Sequence, residues 1–286
     1  MKIVTAAALS LALIAPSVPA LAQTAPAPTA ADWRTVAPEN LLVIDTNKGR
    51  ILVEMDPRIA PQSVNRIRTL ADQGFYDGHK FHRVMKDFMA QTGDPEGTGA
   101  GGSELPDVPA EFQFRRGRDS GFVSLASIAD GQLGIIGSMP VITQPDAQMM
   151  ITADFKTGAE ALFCPGVAGM ARANTPDSAN SQFFLMTADR EELNGVYTPF
   201  GRVLAGLNVV YSLKQGPDAA NGRVTDPDIM TRARTAAGMP AGERPSVRVL
   251  NPGSAAYQAE IARVKTERGA AFDICDLQPT VEVVGG

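Results

Sequence analysis

Short apolar runs separated by turn residues recur along most of this chain. Two of them, at residues 41–44 and 51–55, flank the turn residues Asn47-Lys48-Gly49, and this pattern predicts a β-hairpin. A helix is predicted next, because Pro61 suits a first helical turn and apolar residues follow at helical spacing until Gly74.

Alternating side chains predict five further strands, at residues 81–85, 88–91, 167–172, 182–187 and 200–204. Because side chains alternate between the two faces of a strand, one face is expected to carry Phe81, Arg83 and Met85. In residues 182–187 the same rule separates one set of side chains, Gln182, Phe184 and Met186, from the other, Phe183 and Leu185.

The second half of the chain adds two predicted helices, at 207–213 and 254–268, and a closing strand at either 247–250 or 281–284. Many strands with few helices, and turns between most of them, favour an antiparallel barrel or sandwich. Residues of about 117–163 are hard to divide into elements, and we interpret them as an insertion that forms an extra hairpin.

The N-terminal segment predicts export. Lys2 is followed by an apolar run from Ala6 to Val18 and then by the small-x-small sequence Ala20-Leu21-Ala22, so residues 1–22 are predicted to be a signal peptide. The apolar run is shorter than the roughly 20 residues of a membrane-spanning helix, so no stable membrane insertion is expected. Residues 23–38 are rich in Ala, Pro and Thr and are predicted to form a spacer. The mature protein is expected in the periplasm.

The charge balance bears on possible partners, and the cysteine content bears on a possible disulfide. Removing Lys2 with the leader leaves 25 basic and 31 acidic residues, since the whole chain has 26 and 31, and this balance argues against a nucleic-acid partner. Cys164 and Cys275 are the only cysteines. They form either a disulfide, worth about 4 kcal/mol, or two buried thiols, and the sequence leaves both possibilities open.

Several local patterns do not support cofactor or hydrolase chemistry. Gly97, Gly99 and Gly102 fit a dinucleotide-binding spacing, but Leu105-Pro106 follows where that site needs a helix N-terminus. The only histidines, His79 and His82, are expected to be structural rather than metal ligands, and the chain lacks a G-x-S-x-G nucleophile turn. We therefore expect no metal and no cofactor.

Two composite motifs carry a stronger signal. The first consists of three segments in sequence order: Phe75-Tyr76-Asp77-Gly78, Phe81-His82-Arg83-Val84 and Phe88-Met89-Ala90-Gln91-Thr92-Gly93-Asp94. The second consists of Met170-Ala171-Arg172 and Ser181-Gln182-Phe183-Phe184, followed by Asn194-Gly195 and Phe200-Gly201-Arg202-Val203. Together they resemble the signatures of the cyclophilins, over residues 41–216 apart from the insertion.

The resemblance implies a fold and an activity. The fold is mainly β, a closed antiparallel cyclophilin-like barrel with a few capping helices, spanning residues 39–286 with an insertion at about 117–163 and a C-terminal extension at about 216–286. The activity is peptidyl-prolyl cis/trans isomerisation of proline-containing polypeptides, by a protein expected to be a monomer. In this alignment residues 166–171 form the strand before the second signature, in preference to residues 121–126.

The resemblance also implies site residues. Arg83 matches the family's catalytic arginine and Gln91 the residue that orients it. The substrate-binding positions are Phe88, Met89, Arg172, Gln182, Phe184, Leu193 and Tyr197. Two positions depart from the family pattern: Tyr197 stands where many members have histidine, and Glu192 where cyclosporin-sensitive members have tryptophan.

Two other functions compete with the isomerase. One is a cyclophilin-shaped chaperone or peptide-binding scaffold with little turnover, which Glu192 and the insertion allow. The other is an unrelated exported β-barrel that binds small apolar ligands. Retention of Arg83 together with Gln91 favours the isomerase, because a buried guanidinium is costly unless it is paired or used.

Overall fold

A computed structural model of the chain describes residues 27–285. The predicted signal peptide and the first residues of the predicted spacer lie outside the described residues. Within residues 27–285, no helix is both long enough and apolar enough to cross a membrane.

In chain order, the strands of the described segment are β1 (Trp33–Thr35), β2 (Leu41–Thr46), β3 (Gly49–Met55), β4 (Arg83–Met85), β5 (Met89–Thr92), β6 (Phe114–Arg116), β7 (Phe122–Ile128), β8 (Gly131–Ile136), β9 (Met139–Thr143), β10 (Thr157–Ala161), β11 (Val167–Met170), β12 (Phe183–Met186), β13 (Pro199–Ala205), β14 (Met230–Thr235), β15 (Ser246–Leu250) and β16 (Val281–Val284). The α-helices are α1 (Pro61–Asp72), α2 (Leu207–Ser212) and α3 (Ala255–Arg268).

Eight of these strands form one antiparallel sheet, the main sheet, in the order β14-β2-β3-β13-β11-β12-β5-β4. The sheet curls around an apolar core that it shares with α1, whose buried face includes Val64, Ile67 and Leu70. The predicted hairpin, helix and alternating strands are therefore confirmed, and so is the mainly β, cyclophilin-like class. Residues 168–170 pair with β12, so the strand preferred for the second signature lies beside the rest of that signature.

The expected full closure of the barrel is wrong. No continuous ladder joins the two edge strands, β4 and β14, and isolated backbone hydrogen bonds connect the segments beside them instead. The Phe81 amide donates to the Asp228 carbonyl at 2.9 Å and the Met230 amide to the His79 carbonyl at 2.8 Å. Strand β4 has only three residues, too few to pair along the whole of the opposite edge.

Both predicted closing strands are also placed elsewhere. β15 is the central strand of a separate three-stranded terminal sheet and pairs with both β1 and β16, while the unpredicted β14 takes the edge of the main sheet. Strand β1 lies within the segment predicted to be a spacer, and Trp33 packs against the second apolar core of the molecule. The last part of that segment is therefore folded.

The insertion is more extensive than the single hairpin expected. Strands β6 to β10 form a five-stranded antiparallel sheet, the accessory sheet, in the order β6-β10-β9-β8-β7. One of its faces helps to form the second core, together with α3 and the outer face of the main sheet, which contributes Met89, Phe184 and Met186. The accessory sheet thus packs on the face of the main sheet that also carries the predicted site residues Met89 and Phe184.

Two links tie the main sheet to the added segments. Cys164, just before β11, forms a disulfide with Cys275 in the C-terminal segment, which settles the choice that the sequence left open. The second link is Arg202 on β13, a fully buried side chain. Its guanidinium donates to the carbonyls of Ser138 at 3.0 Å and Leu277 at 2.7 Å. Burial lowers the pKa of Arg202 to about 10, so it remains charged at neutral pH.

We expect the Cys164→Ser/Cys275→Ser variant to lose about 3–5 kcal/mol of unfolding free energy, because the disulfide closes a long loop in the unfolded chain. The two cysteines are 111 residues apart. Urea unfolding measures the loss, and wild type in reductant should unfold at the same urea concentration as the variant. A wild-type midpoint that does not respond to reductant would contradict this contribution.

Replacing Arg202 with methionine should lower the unfolding free energy by about 2–4 kcal/mol, because it leaves two buried carbonyls without donors. The matched control is Arg115→Met, which removes an exposed ion pair with Asp154 and should change stability by less than about 1 kcal/mol. Equal urea midpoints for the two variants would show that Arg202 does not hold the three segments together.

Candidate active site

One row of side chains crosses three neighbouring strands of the main sheet. Arg83 on β4 is directly opposite Gln91 on β5, and Gln91 is opposite Phe184 on β12. Directly opposed residues of antiparallel strands project to the same face, so strand register alone brings these three side chains together. Phe81 was expected on this face, but it precedes the start of β4 and is buried in the core of the main sheet.

The row borders a cavity of about 110 Å³, here called the arginine cavity. Its lining is Arg83, Phe88, Met89, Gln91, Ala171, Arg172, Phe184, Leu193 and Tyr197. Eight of the nine predicted site residues are among them, and the ninth, Gln182, lies behind Gln91. Given that one water in the liquid occupies about 30 Å³, a cavity of this size accommodates one small ring or side chain.

The Arg83 side chain is held by neutral acceptors. Its Nη1 donates to Oε1 of Gln91 at 3.1 Å, and its Nε donates to the carbonyl of Asn221 at 3.0 Å. Nη2 donates to Oδ1 of Asn221 at 3.1 Å and to the sulfur of Met85 at 3.0 Å. Among the described residues no carboxylate pairs with this guanidinium. Burial lowers the pKa of Arg83 from its usual 12.5.

A chain of side-chain amides orients Gln91. The Nε2 of Gln182 donates to the Gly101 carbonyl at 2.8 Å, and the Nε2 of Gln91 donates to Oε1 of Gln182 at 2.9 Å. Because a backbone carbonyl only accepts hydrogen bonds, the first link fixes the direction of the whole chain. Gln91 is left with its oxygen facing Arg83. Gln182 therefore contributes through Gln91 and not as part of the cavity wall.

Aromatic rings and cations alternate around the cavity mouth. Two guanidinium groups lie close to the Phe88 ring. The ring centroid is 5.8 Å from Cζ of Arg83 and 5.4 Å from Cζ of Arg190. Arg172 stacks over Tyr197 at 4.5 Å and donates to the Val196 carbonyl at 2.9 and 3.1 Å. Arg172, which was predicted to bind substrate, thus also fixes the loop that carries Tyr197.

The apolar wall is rigidly packed. Met89, Phe184 and Leu193 are each less than one tenth exposed. Phe184 meets Tyr197 edge to face at 5.9 Å and stacks on Phe163 at 5.7 Å between ring centroids. A ring that enters the cavity therefore contacts preformed apolar surfaces and displaces little protein.

Both histidines lie away from this cavity. His79 packs edge-on against Phe75 at 4.8 Å, and His82 is buried beside the glycine-rich loop at Gly97 and Gly99. Burial lowers the pKa of both imidazoles.

The sequence did not predict Asn221, Met85, Ala171, Phe163 or Arg190 as part of the site. Asn221 has the left-handed backbone conformation, with φ 51°, and precedes Gly222. An Asn-Gly pair is a turn signal, so a turn could have been predicted there. Its contact with Arg83 spans 138 residues and leaves no local trace in the sequence.

Comparison with known proteins identifies the family of this chain. The family model for cyclophilin type peptidyl-prolyl cis-trans isomerase/CLD matches residues 41–235. The chain is 34% identical over 207 residues to a probable peptidyl-prolyl cis-trans isomerase of Brucella suis biovar 1 (strain 1330), covering 68% of this chain and 82% of the relative. It is 32% identical over 167 residues to the human peptidyl-prolyl cis-trans isomerase-like 1, covering 58% and 75%.

Among solved structures, the crystal structure of cyclophilin AquaCyp293 from Hirschia baltica matches with a TM-score of 0.78 and 32% identity, covering 89% of this chain and 94% of that one. This match extends beyond residues 41–235, so it includes part of the segments added to the family domain. The family model matches more than half of the chain, and the Brucella relative is more than 30% identical to it, so the chain belongs to the cyclophilin-type peptidyl-prolyl cis/trans isomerases.

Proposed function

We propose that the arginine cavity holds the proline ring of an exported polypeptide while Arg83 promotes rotation about the preceding X-Pro bond. The observation that carries this proposal is the geometry of Arg83. A guanidinium has five N–H donors, and four of them are used by Gln91, Asn221 and Met85. The fifth, on Nη1, is available to a ligand in the cavity that Arg83 lines.

The reaction needs no bond to break. Amide resonance opposes rotation with a barrier of about 18–20 kcal/mol, and the resonance is lost in the twisted state, where the lone pair localises on the prolyl nitrogen. A hydrogen bond from Arg83 to that nitrogen is strongest in the twisted state, so it stabilises the transition state more than the ground state. Because no carboxylate within residues 27–285 pairs with Arg83, its full charge acts on the developing lone pair.

The arginine needs help from its surroundings. One charge-assisted hydrogen bond is worth about 1.5–3 kcal/mol, whereas enzymes typically lower barriers by at least about 8 kcal/mol. The buried walls formed by Met89, Phe184 and Leu193 hold the ring, so the carbonyl side of the bond is the part that turns. They also lower the local dielectric constant, which strengthens the hydrogen bond from Arg83.

The proposed setting is the periplasm, where the protein assists the folding of proline-containing chains. Two features support it: the predicted signal peptide, and the Cys164–Cys275 disulfide, a bond that persists in oxidising compartments. We also propose that the protein acts as a monomer, since nine residues of this one chain line the arginine cavity.

A second candidate function is that of a chaperone that binds unfolded chains with little turnover. The observation in its favour is a group of exposed apolar side chains in the connection between β9 and β10, Met150, Ile151 and Phe155, with exposed fractions of 64%, 79% and 66%. Monomeric soluble proteins seldom expose neighbouring apolar side chains of this size without a binding role.

Arg83→Ala should lower kcat/KM for a proline tetrapeptide by at least about 100-fold, or about 2.7 kcal/mol of transition-state stabilisation. Arg83→Lys should recover little of this, because an ammonium group lacks the planar fork that Gln91 and Asn221 hold. Isomerisation assays on the mature protein measure both. Wild-type rates in Arg83→Ala would reject the catalytic role, and an inactive wild type would favour the chaperone.

Asn221→Gly should lower kcat about five- to tenfold with little change in KM, because it removes the side-chain acceptor for Nη2 and keeps the main-chain acceptor for Nε. Glycine accepts φ 51° readily, so folding should not suffer. The matched control is Asp226→Gly, which has φ 53° and does not contact Arg83. Equal kcat values for the two variants would mean that Asn221 only shapes its turn.

A further inference from the structure

An apolar cleft of about 480 Å³ lies next to the arginine cavity. It opens where the accessory sheet, the turn at Glu191–Leu193 and the C-terminal segment meet. Its floor is formed by apolar side chains outside the main sheet, namely Ile128, Leu133, Ile142, Leu162, Phe163 and Ile274. We call it the acidic cleft, for the residues at its rim.

Four carboxylates border this floor: Glu160, Asp189, Glu191 and Asp273. Among the described residues none of them forms an ion pair. The one basic residue in the lining is Arg190. Its guanidinium lies over the Phe88 ring, and its Nε is 3.8 Å from Oε1 of Glu192, a residue that does not line the cleft. Several carboxylates around an apolar floor create a concentrated negative potential, which attracts cations.

The acidic surface continues along the accessory sheet. A second hollow, of about 230 Å³, shares Ile142 and Glu160 with the acidic cleft and adds Asp130. Two hollows that share an edge leave room for several side chains, which suits an extended polypeptide better than a single small molecule. Lysine and arginine fit such a surface, because their aliphatic stems pack on apolar side chains while their charged ends reach carboxylates.

The acidic cleft is adjacent to the arginine cavity. Phe163 in the cleft floor stacks on Phe184 in the cavity wall, with 5.7 Å between ring centroids. The turn at Glu191–Leu193 separates the two, contributing Leu193 to the cavity and Glu191 to the cleft. Their centres therefore lie on the order of 10–15 Å apart, which an extended chain crosses in about three to five residues.

We propose that the acidic cleft binds a second segment of the polypeptide whose proline occupies the arginine cavity. The segment carries an apolar side chain flanked by lysine or arginine, and it lies about three to five residues from the proline. This inference rests on the proposed function, since it requires the arginine cavity to hold proline. If the acidic cleft binds in this way, the insertion and the C-terminal segment help to determine which polypeptides the protein acts on.

The test compares extended peptides with one proline. In each pair, one peptide carries Leu-Lys-Lys and the other Leu-Glu-Glu, about four residues from the proline. One pair has this extension on the N-terminal side of the proline, and a second pair has it on the C-terminal side. In one of the two placements, kcat/KM should favour the basic peptide at least about fivefold at low ionic strength, and 0.5 M salt should reduce the preference. No preference in either placement would overturn the proposal.

Variants at the rim of the acidic cleft test whether its carboxylates cause the preference for basic peptides. Asp189 and Glu191 are exposed, so Asp189→Asn/Glu191→Gln should fold normally and keep wild-type activity on the unextended tetrapeptide while losing most of the preference. Asp189→Lys/Glu191→Lys should reverse it toward the acidic peptide. The control is Glu39→Gln/Glu104→Gln, which removes two exposed carboxylates outside the cleft. A preference lost equally in this control would reject the acidic cleft as the binding site.

Binding measurements separate this proposal from the proposed function. Arg83 does not line the acidic cleft, so Arg83→Ala should still bind the basic peptide more tightly than the acidic one by fluorescence anisotropy. Selective binding with no turnover in wild type would refute the isomerase and leave the cleft standing. Turnover without selectivity would refute the cleft alone.

Discussion

The site depends on one interaction: neutral acceptors hold the guanidinium of Arg83 at the edge of an apolar cavity. Removing such a group from water is costly unless its donors find acceptors, and Arg83 meets that requirement through Gln91, Asn221 and Met85. A carboxylate partner would also have stabilised the arginine, but it would have cancelled the charge that the proposed chemistry uses. The chain of amides from Gly101 to Gln91 keeps the acceptor oriented without adding charge.

Arg202 is a second buried guanidinium, with a structural role. Its two Nη atoms donate to carbonyls of the accessory sheet and the C-terminal segment, so it joins three parts of the chain at one point. Together with the Cys164–Cys275 disulfide, it seats the added segments against the outer face of the main sheet. There they supply Phe163, which supports the cavity wall, and they form the acidic cleft.

The parts of the molecule that could be predicted are those encoded by local pattern or by family motifs. Alternation in residues 182–187 placed Phe184 and Phe183 on opposite faces, and the motifs identified eight residues that line one cavity. Strand β14 was missed because it exposes or half-exposes Thr231, Arg232 and Arg234, which leaves little apolar alternation. Strand β1 was missed because its partner, β15, lies more than two hundred residues away along the chain. The contact between Asn221 and Arg83 is equally non-local, so no window of sequence contains it.

The central claim is most directly tested by a crystal structure of the protein with a bound peptide that contains one proline. We expect the proline ring between Phe88, Met89, Phe184 and Leu193, with Nη1 of Arg83 about 3 Å from the prolyl nitrogen and its bonds to Gln91 and Asn221 intact. A peptide whose proline lies outside the arginine cavity, or a guanidinium that turns away from the bound imide, would contradict the account.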